Sequence, residues 1–345
     1  MAKLFFLLSG EHESLPLSEL RAILDAEDYD YEVLEKLEQV ARVEADQNCV
    51  GTIMRRAALT RICGLELVNC RADMTDIIKV ARSVSLDEML AKEESFAVRV
   101  KRVRNSASNV NLMAVERTLG ELVLSKVDSA RVSLRKPGKT FFGILAGDRF
   151  VFGLKLGEIS AKPFVERRPR RKPFFHPSAM QAKLARCMVN LAKPRIGDLV
   201  VDPFCGTGGM LIEASLIGCD VLGLDVQRRM AKGALRNLAH FGVKPNGLII
   251  ADARSMPITR IDCVVTDPPY GISSTTLKRT TKQLVEELLT SVHGILKKGQ
   301  RICMASPKTL KIREVGIALG FKHLESHFVY VHRSLTREIV VFEKV

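Results

Sequence analysis

From residue 199 onward, short apolar blocks alternate with stretches of helical periodicity. The blocks are Leu199–Asp202, Val221–Asp225, Leu248–Ala251, Cys263–Thr266 and Arg301–Ala305. Continuous apolar runs of this length, bounded by turn residues, predict buried strands. Between the last two, Leu284, Val285, Leu288, Leu289, Val292, Ile295 and Leu296 mark one amphipathic helix, closed by Gly299. Strand and helix alternating with short loops predict an α/β fold: a parallel, doubly wound sheet with its site at the strands' carboxyl ends. The tail, His327–Val331 and Glu338–Phe342 around Arg333-Ser334, predicts a terminal hairpin.

The first half has a different rhythm. A strand over Lys3–Leu8 leads to a helix over Leu17–Ala26, with Ser18 placed to cap it. A strand-like Tyr29–Leu34 and an apolar Cys49–Ile53 follow, then a helix rich in Arg and Ala. Ser95–Val103 alternates apolar and polar positions as a half-buried strand does, and Leu112–Leu124 is helical in period. Ala130–Leu134, Phe141–Ala146 and Arg149–Leu156 are rich in strand formers, with Lys136-Pro137-Gly138 and Gly147-Asp148 as turns. The expected organisation is one α+β unit over 1–64, a second over 65–156, a linker over 157–174 and the α/β domain over 175–345. The linker contains Glu166-Arg-Arg-Pro-Arg-Arg-Lys-Pro173, basic and proline-punctuated, and reads as extended.

Composition narrows the classes. Hydrophobic residues make up 46% of the 345, enough for ordinary cores. No apolar run reaches the roughly 18 residues of a membrane span. Leu4–Leu8 is too short for the apolar core of a signal peptide. Eight cysteines are scattered without a C-x-x-C pair. That spacing offers no zinc or other metal site and no disulfide framework, and it suits reduced thiols in the cytoplasm. Charge is the sharper signal. Residues 1–98 carry 11 Lys+Arg against 19 Asp+Glu, a net of −8, so the remainder of a chain with net +14 carries +22. A basic body of this kind favours a polyanionic partner.

The chemistry-bearing motifs fall at the predicted strand ends. Val200-Val-Asp-Pro-Phe-Cys-Gly-Thr-Gly-Gly209 follows the first strand, and its glycines let the backbone approach a ligand closely. It is not G-x-G-x-x-G, and no lysine follows to make a phosphate loop, which argues against a nicotinamide dehydrogenase. Asp202 there repels a pyrophosphate and attracts an ammonium group. Asp225 ends the second strand, where a carboxylate accepts from ribose hydroxyls. Asp252, with the amide of Ala253, ends the third and suits an adenine edge. Asp267-Pro-Pro-Tyr270-Gly ends the fourth. Two prolines make a stiff stretch that holds the Asp267 carboxylate and the Pro268 carbonyl as paired acceptors. An exocyclic amine offers two donors to match them, and Tyr270 is placed to stack on the base.

In order and sequence, DPFCGTGG, GLDVQ, ADA and DPPYG resemble the Rossmann-fold S-adenosylmethionine methyltransferases that act on base amino groups. Pro173-Phe-Phe-His-Pro-Ser178-Ala-Met is similar to the segment preceding the fold in the RNA guanine-N2 members. The N-terminal half resembles their architecture of a ferredoxin-like unit (1–64) and a THUMP domain (65–156), which in that family holds the tRNA acceptor end. Taken together, the chain resembles the archaeal tRNA guanine-N2 methyltransferases that modify position ten. The resemblance implies S-adenosylmethionine as cofactor, held by His176, Ser178, Asp202, Phe204, Gly206, Gly208, Asp225, Asp252, Ala253 and Asp267. It implies catalysis by Asp267, Pro268 and Tyr270 on a flipped guanine, with direct methyl transfer. The tRNA partner is expected at Lys101, Arg102 and Arg104, at Arg167, Arg168, Arg170, Arg171 and Lys172, and at Lys278 and Arg279. Methylation of guanine 6 in tRNA, methylation of adenine N6, and a non-enzymatic RNA-binding protein on a degenerate fold are the rival readings. The sequence leaves open one methyl or two, and whether an activating protein subunit takes part.

Overall fold

The computed structural model describes residues 1–269 and 280–345, which form two compact units. The first comprises Met1–Glu13, Tyr29–Met54 and Thr60–Ile159. Its strands are β1 (Ala2–Leu8), β2 (Tyr31–Leu37), β3 (Val40–Ala45), β4 (Thr60–Arg71), β5 (Ser95–Arg102), β6 (Arg131–Val132), β7 (Lys139–Ala146) and β8 (Arg149–Glu158). They make one eight-stranded sheet in the order β2-β3-β1-β4-β8-β7-β5-β6. Residue 64, the expected end of the first unit, lies inside β4, which pairs with β1 on one side and β8 on the other. Phe141 stacks on Phe152, and Phe152 on Phe150, each at 5.9 Å between centroids, at the heart of this unit's core.

The helix α1 (Leu15–Ala26) interrupts that unit in sequence but packs into the second, which comprises Ser14–Asp28, Arg55–Leu59 and Ser160–Val345. Ser14, not Ser18, holds the N-cap position, because Pro16 fits the first turn. Ser18 lies a turn inside, its N–H donating to the Ser14 carbonyl at 3.2 Å. Cys49–Arg56 is itself a helix, α2, and the Arg- and Ala-rich stretch expected to be helical contributes only its end. Helices α3 (Met74–Arg82) and α4 (Leu112–Lys126) complete the first unit.

The second unit's strands are β9 (Leu199–Asp202), β10 (Asp220–Leu224), β11 (Gly247–Ile249), β12 (Cys263–Thr266), β13 (Arg301–Pro307), β14 (Phe321–His332) and β15 (Leu335–Lys344). Their order is β11-β10-β9-β12-β13-β15-β14, parallel throughout except that β15 runs antiparallel to both its neighbours. Alternate side chains of each strand enter two cores on opposite faces. Val200, Val221, Val265 and Val341 meet α6 (Ala182–Leu191), α7 (Gly209–Ser215), α8 (Arg228–His240) and α1. Val201, Leu224, Val264 and Phe342 meet α9 (Thr281–Ile295) and α10 (Ile312–Ala318).

The basic segment 166–173 is not extended. Pro163 starts a short helix, α5 (Lys162–Glu166), and Pro169 starts a 3-10 turn over Pro169–Arg171. All eight cysteines are buried thiols. Among the described residues, no helix is long and apolar enough to cross a membrane.

Candidate active site

Strand order reverses between β9 and β12: the chain winds outward from β9 through β10 and β11, then returns to β12 on the other side. Crevices at such a switch point are where doubly wound sheets bind ligands. Asp202 and Thr266 close the two flanking strands, and the Thr266 hydroxyl donates to Asp202 Oδ1 at 2.7 Å. The Phe204 N–H donates to the same oxygen at 3.1 Å, so among the described residues Oδ2 remains for a ligand. Burial pushes Asp202 up to about 7; the hydrogen bonds oppose this, while the negative charges of Asp267 and Asp225 add to it.

Asp225 ties two turns together. Its carboxylate accepts from Gly206 N at 3.1 Å and from Gln227 N at 2.8 Å. Gly206 and Gly208 hold φ of +49° and +77°, the left-handed region that glycine enters without a Cβ penalty. Burial raises Asp225, and the nearby imidazole of His176 pulls it back. His176 Nδ1 is 2.7 Å from Ser178 Oγ, so both expected contacts of the Pro173–Ser178 segment lie on one small turn. That segment is clamped to α8: Asn237 accepts from Phe174 N and donates to Phe174 O, both at 2.9 Å, and also donates to the Thr207 carbonyl of the glycine turn. A Cβ on Gly233 would lie 2.0 Å from Phe174 Cδ1, so that glycine is the notch receiving the ring. Neither Asn237 nor Gly233 was a candidate from sequence; a glycine inside an otherwise regular helix was the available signal.

Asp252 faces a guanidinium: Arg254 Nε donates to both its oxygens, at 2.8 and 2.9 Å, and Arg254 also reaches Glu287 of α9 at 3.5 Å. The Asp252 carboxylate, expected at an adenine edge, is thus already occupied by an arginine, and Ala253 beside it is buried. Asp267, just past β12, pairs with Arg337 at 3.1 Å. Because β15 is antiparallel, its first residues lie at the carboxyl edge of the parallel strands, and Arg337 crosses the end of β13 to reach Asp267. Pro268 is buried against this edge. Tyr270, Lys278 and Arg279 lie outside the described residues.

A family profile described as an RMKL-like methyltransferase domain matches residues 169–338, and one for the THUMP domain matches 71–154. The tRNA (guanine(10)-N2)-dimethyltransferase of Methanothermobacter thermautotrophicus is 38% identical, with 99% of this chain and all of that one aligned. The enzyme of the same name from Methanocaldococcus jannaschii is 31% identical over 99% of each chain. The chain belongs to this family. TrmN from Thermus thermophilus, at 20% identity, shares the fold with a TM-score of 0.57 over 99% of this chain and all of that one.

Several basic residues expected at tRNA are engaged within this family member's own fold. Arg167 pairs with Glu213 at 2.6 Å, and Arg186 meets the same carboxylate at 2.9 Å. Lys172 is buried, its Nζ 3.6 Å from where a Cβ on Gly209 would stand; desolvation lowers it to about 8, offset in part by Glu213. Lys172 therefore faces the glycine turn and is out of reach of a macromolecule. Arg168, Arg170 and Arg171 are exposed. In the first unit, Lys101 is exposed, Arg104 pairs with Glu38 at 2.6 Å, and the Arg102 guanidinium closes its own loop on the carbonyls of Ala107 and Val110.

Proposed function

We propose that this chain transfers methyl groups from S-adenosylmethionine to the exocyclic N2 of guanine 10 in tRNA, in the cytoplasm, completing the dimethylated base that its relatives' names describe. The observation that carries this reading is the placement of Asp267-Pro268 across the switch point from Asp202. An acceptor pair for an amine thereby adjoins a pocket rich in carboxylates.

The donor set suits the cofactor. Asp202, Asp225 and Asp267 lie near enough that their charges add to the burial that raises Asp202. A ligand carrying an ammonium and a sulfonium relieves that accumulation, whereas a pyrophosphate aggravates it. Bound there, S-adenosylmethionine supplies an electrophilic methyl group. Asp202 Oδ2 takes the methionine ammonium, Asp225 the ribose hydroxyls, and Lys172 the methionine carboxylate from beside the glycine turn. Asp267 and the Pro268 carbonyl accept the two N–H bonds of a flipped guanine in the first transfer, and in the second one of them accepts the single N–H left, directing the nitrogen lone pair at the methyl group. As the sulfur–methyl bond would break, leaving a neutral thioether, positive charge would develop on the nitrogen; the Asp267 carboxylate would stabilise it and take the proton that the amine then sheds. Arg337 holds that carboxylate in position. The THUMP-containing unit grips the tRNA body by shape and backbone charge.

The test is Asp267→Ala. Methyl transfer to tRNA should fall by about 10²–10³-fold or more while calorimetric affinity for S-adenosylmethionine stays within a few fold. Equal loss of both, or loss of neither, would refute the assigned role.

A further inference from the structure

The aromatic side chains of this protein are few and, for the most part, buried. Among the described residues, the exposed large aromatics are Phe175, Phe328 and Tyr330. The last two stand at alternate positions of β14 and project from one face, 56% and 71% exposed. Burial of this much ring surface would ordinarily stabilise the fold, so two bare rings side by side on one strand suggest a surface with a partner.

Their position decides which partner. The paired residues of β13 end at Pro307, opposite Arg337, but β14 and β15 continue as a two-stranded ribbon through Tyr330↔Thr336 to His332↔Leu335. The ribbon thus rises past the carboxyl edge of the sheet, where Asp202 and Asp267 lie. Arg337, which grips Asp267, is also the register partner of Val329, the residue between the two rings. By register Asp267 is level with His327, so the rings stand one and three residues further out along β14, displaced sideways by three strand spacings, about 14 Å. They lie beside the pocket, not in it.

The exposed charge around them is basic; Glu338, cross-strand from Phe328, is buried and accepts from the Ser326 hydroxyl at 2.8 Å. Lys308, at the end of β13, stands 5.1 Å over the Phe328 ring, a cation–π arrangement that leaves the ammonium exposed. Arg333 is exposed at the ribbon's tip, and from Ser326 to Arg337 the chain has no acidic residue. Exposed rings among exposed cations match an unstacked nucleotide: base on ring, phosphate on ammonium.

We propose that Phe328 and Tyr330 form a two-ring stacking platform for an unstacked nucleotide next to the target guanine in the substrate RNA, with Lys308 and Arg333 on the adjoining phosphates. The inference rests on RNA being the substrate. It adds a second grip, independent of base identity, that holds the strand open once the target base has left its stack.

The chain contains no tryptophan, so Tyr330→Trp installs a single indole reporter. Unmodified tRNA transcript should quench its emission and shield it from acrylamide, whereas S-adenosylmethionine alone should do neither. In the methylation assay, the doubly substituted Phe328→Ala/Tyr330→Ala protein should raise KM for tRNA by about 5- to 150-fold, the equivalent of about 1–3 kcal/mol of stacking at 1.4 kcal/mol per tenfold. Affinity for S-adenosylmethionine should be unchanged. Tyr330→Phe should keep the wild-type KM and Tyr330→Leu should not, since leucine is apolar but cannot stack. Unaltered emission and KM, with wild-type methyl transfer intact, would overturn the platform and leave the proposed reaction standing. Absence of methyl transfer by the wild-type protein, with emission unaltered by tRNA, would overturn both.

Discussion

At the residue scale, Asp202 must be ionised to hold a cation, and its burial opposes ionisation. With its value raised to about 7, the folded protein holds a proton there that the unfolded chain has lost above its ordinary value of 3.8. The folded state then binds more protons than the unfolded one between those values, so stability falls as pH rises through that window and the cost is fully present above about 7. A cationic ligand prefers the ionised form, so affinity for S-adenosylmethionine should tighten as pH rises from 6 to 8. Asp202→Asn should abolish both slopes while retaining an acceptor for Thr266, and should bind the cofactor more weakly at pH 8. Calorimetric titrations and urea unfolding at several pH values read the two effects; a pH-independent wild-type affinity contradicts the assignment. Arg337 admits a separate test. Arg337→Ala should lower kcat by about 10-fold or more with cofactor affinity unchanged, and Arg337→Lys should recover part of it, because lysine keeps the charge but not the planar fork. A change in cofactor affinity alone would place Arg337 elsewhere in the mechanism.

At the scale of elements, α8 holds the Phe174–Ser178 segment beside the glycine turn, on the side where the cofactor is proposed to bind. Gly233→Ala puts a methyl group where the Phe174 ring sits, so Phe174–Ser178 must move. Cofactor affinity should fall about 10-fold, an energy near the lower end of overpacking costs, and the melting temperature should drop with it. The hub around Glu213 is structural: its carboxylate faces Arg167 and Arg186 in the interior. Glu213→Ala leaves those cations uncompensated and should cost about 3–5 kcal/mol in chemical denaturation. Strands β9 and β12 were legible to the residue, because Leu199–Asp202 and Cys263–Thr266 are short apolar blocks between turn residues. Strands β3 and β4 were not, since Arg42 and Glu66 interrupt their apolar patterns and are reconciled only by pairing across the sheet at 2.6 Å. The allegiance of α1 was equally hidden. Its Glu19 accepts from Ala58 N, Leu59 N and Asn190 Nδ2, and the last of these lies 171 residues away. Site residues at strand ends were visible because their spacing is local; Arg337, Asn237 and Gly233 act through contacts that exist only once the chain has folded.

For the whole molecule, the decisive property is charge placement. The first 98 residues carry −8 and the rest +22, so the basic character belongs to the THUMP strands and the methyltransferase unit. Affinity for tRNA should fall linearly on a logarithmic salt scale, each neutralised phosphate adding to the slope. Charge reversal of the exposed pair, Arg170→Glu with Arg171→Glu, should flatten that slope without altering cofactor affinity; an unchanged slope would remove this turn from the RNA surface. The methyl acceptor itself is the most direct measure of the account. Purified protein incubated with labelled S-adenosylmethionine and unmodified tRNA transcript should place label on N2 of guanine 10, first as the monomethyl and then as the dimethyl nucleoside. Label on adenine, on guanine 6, or on no nucleoside while the cofactor is bound would contradict it.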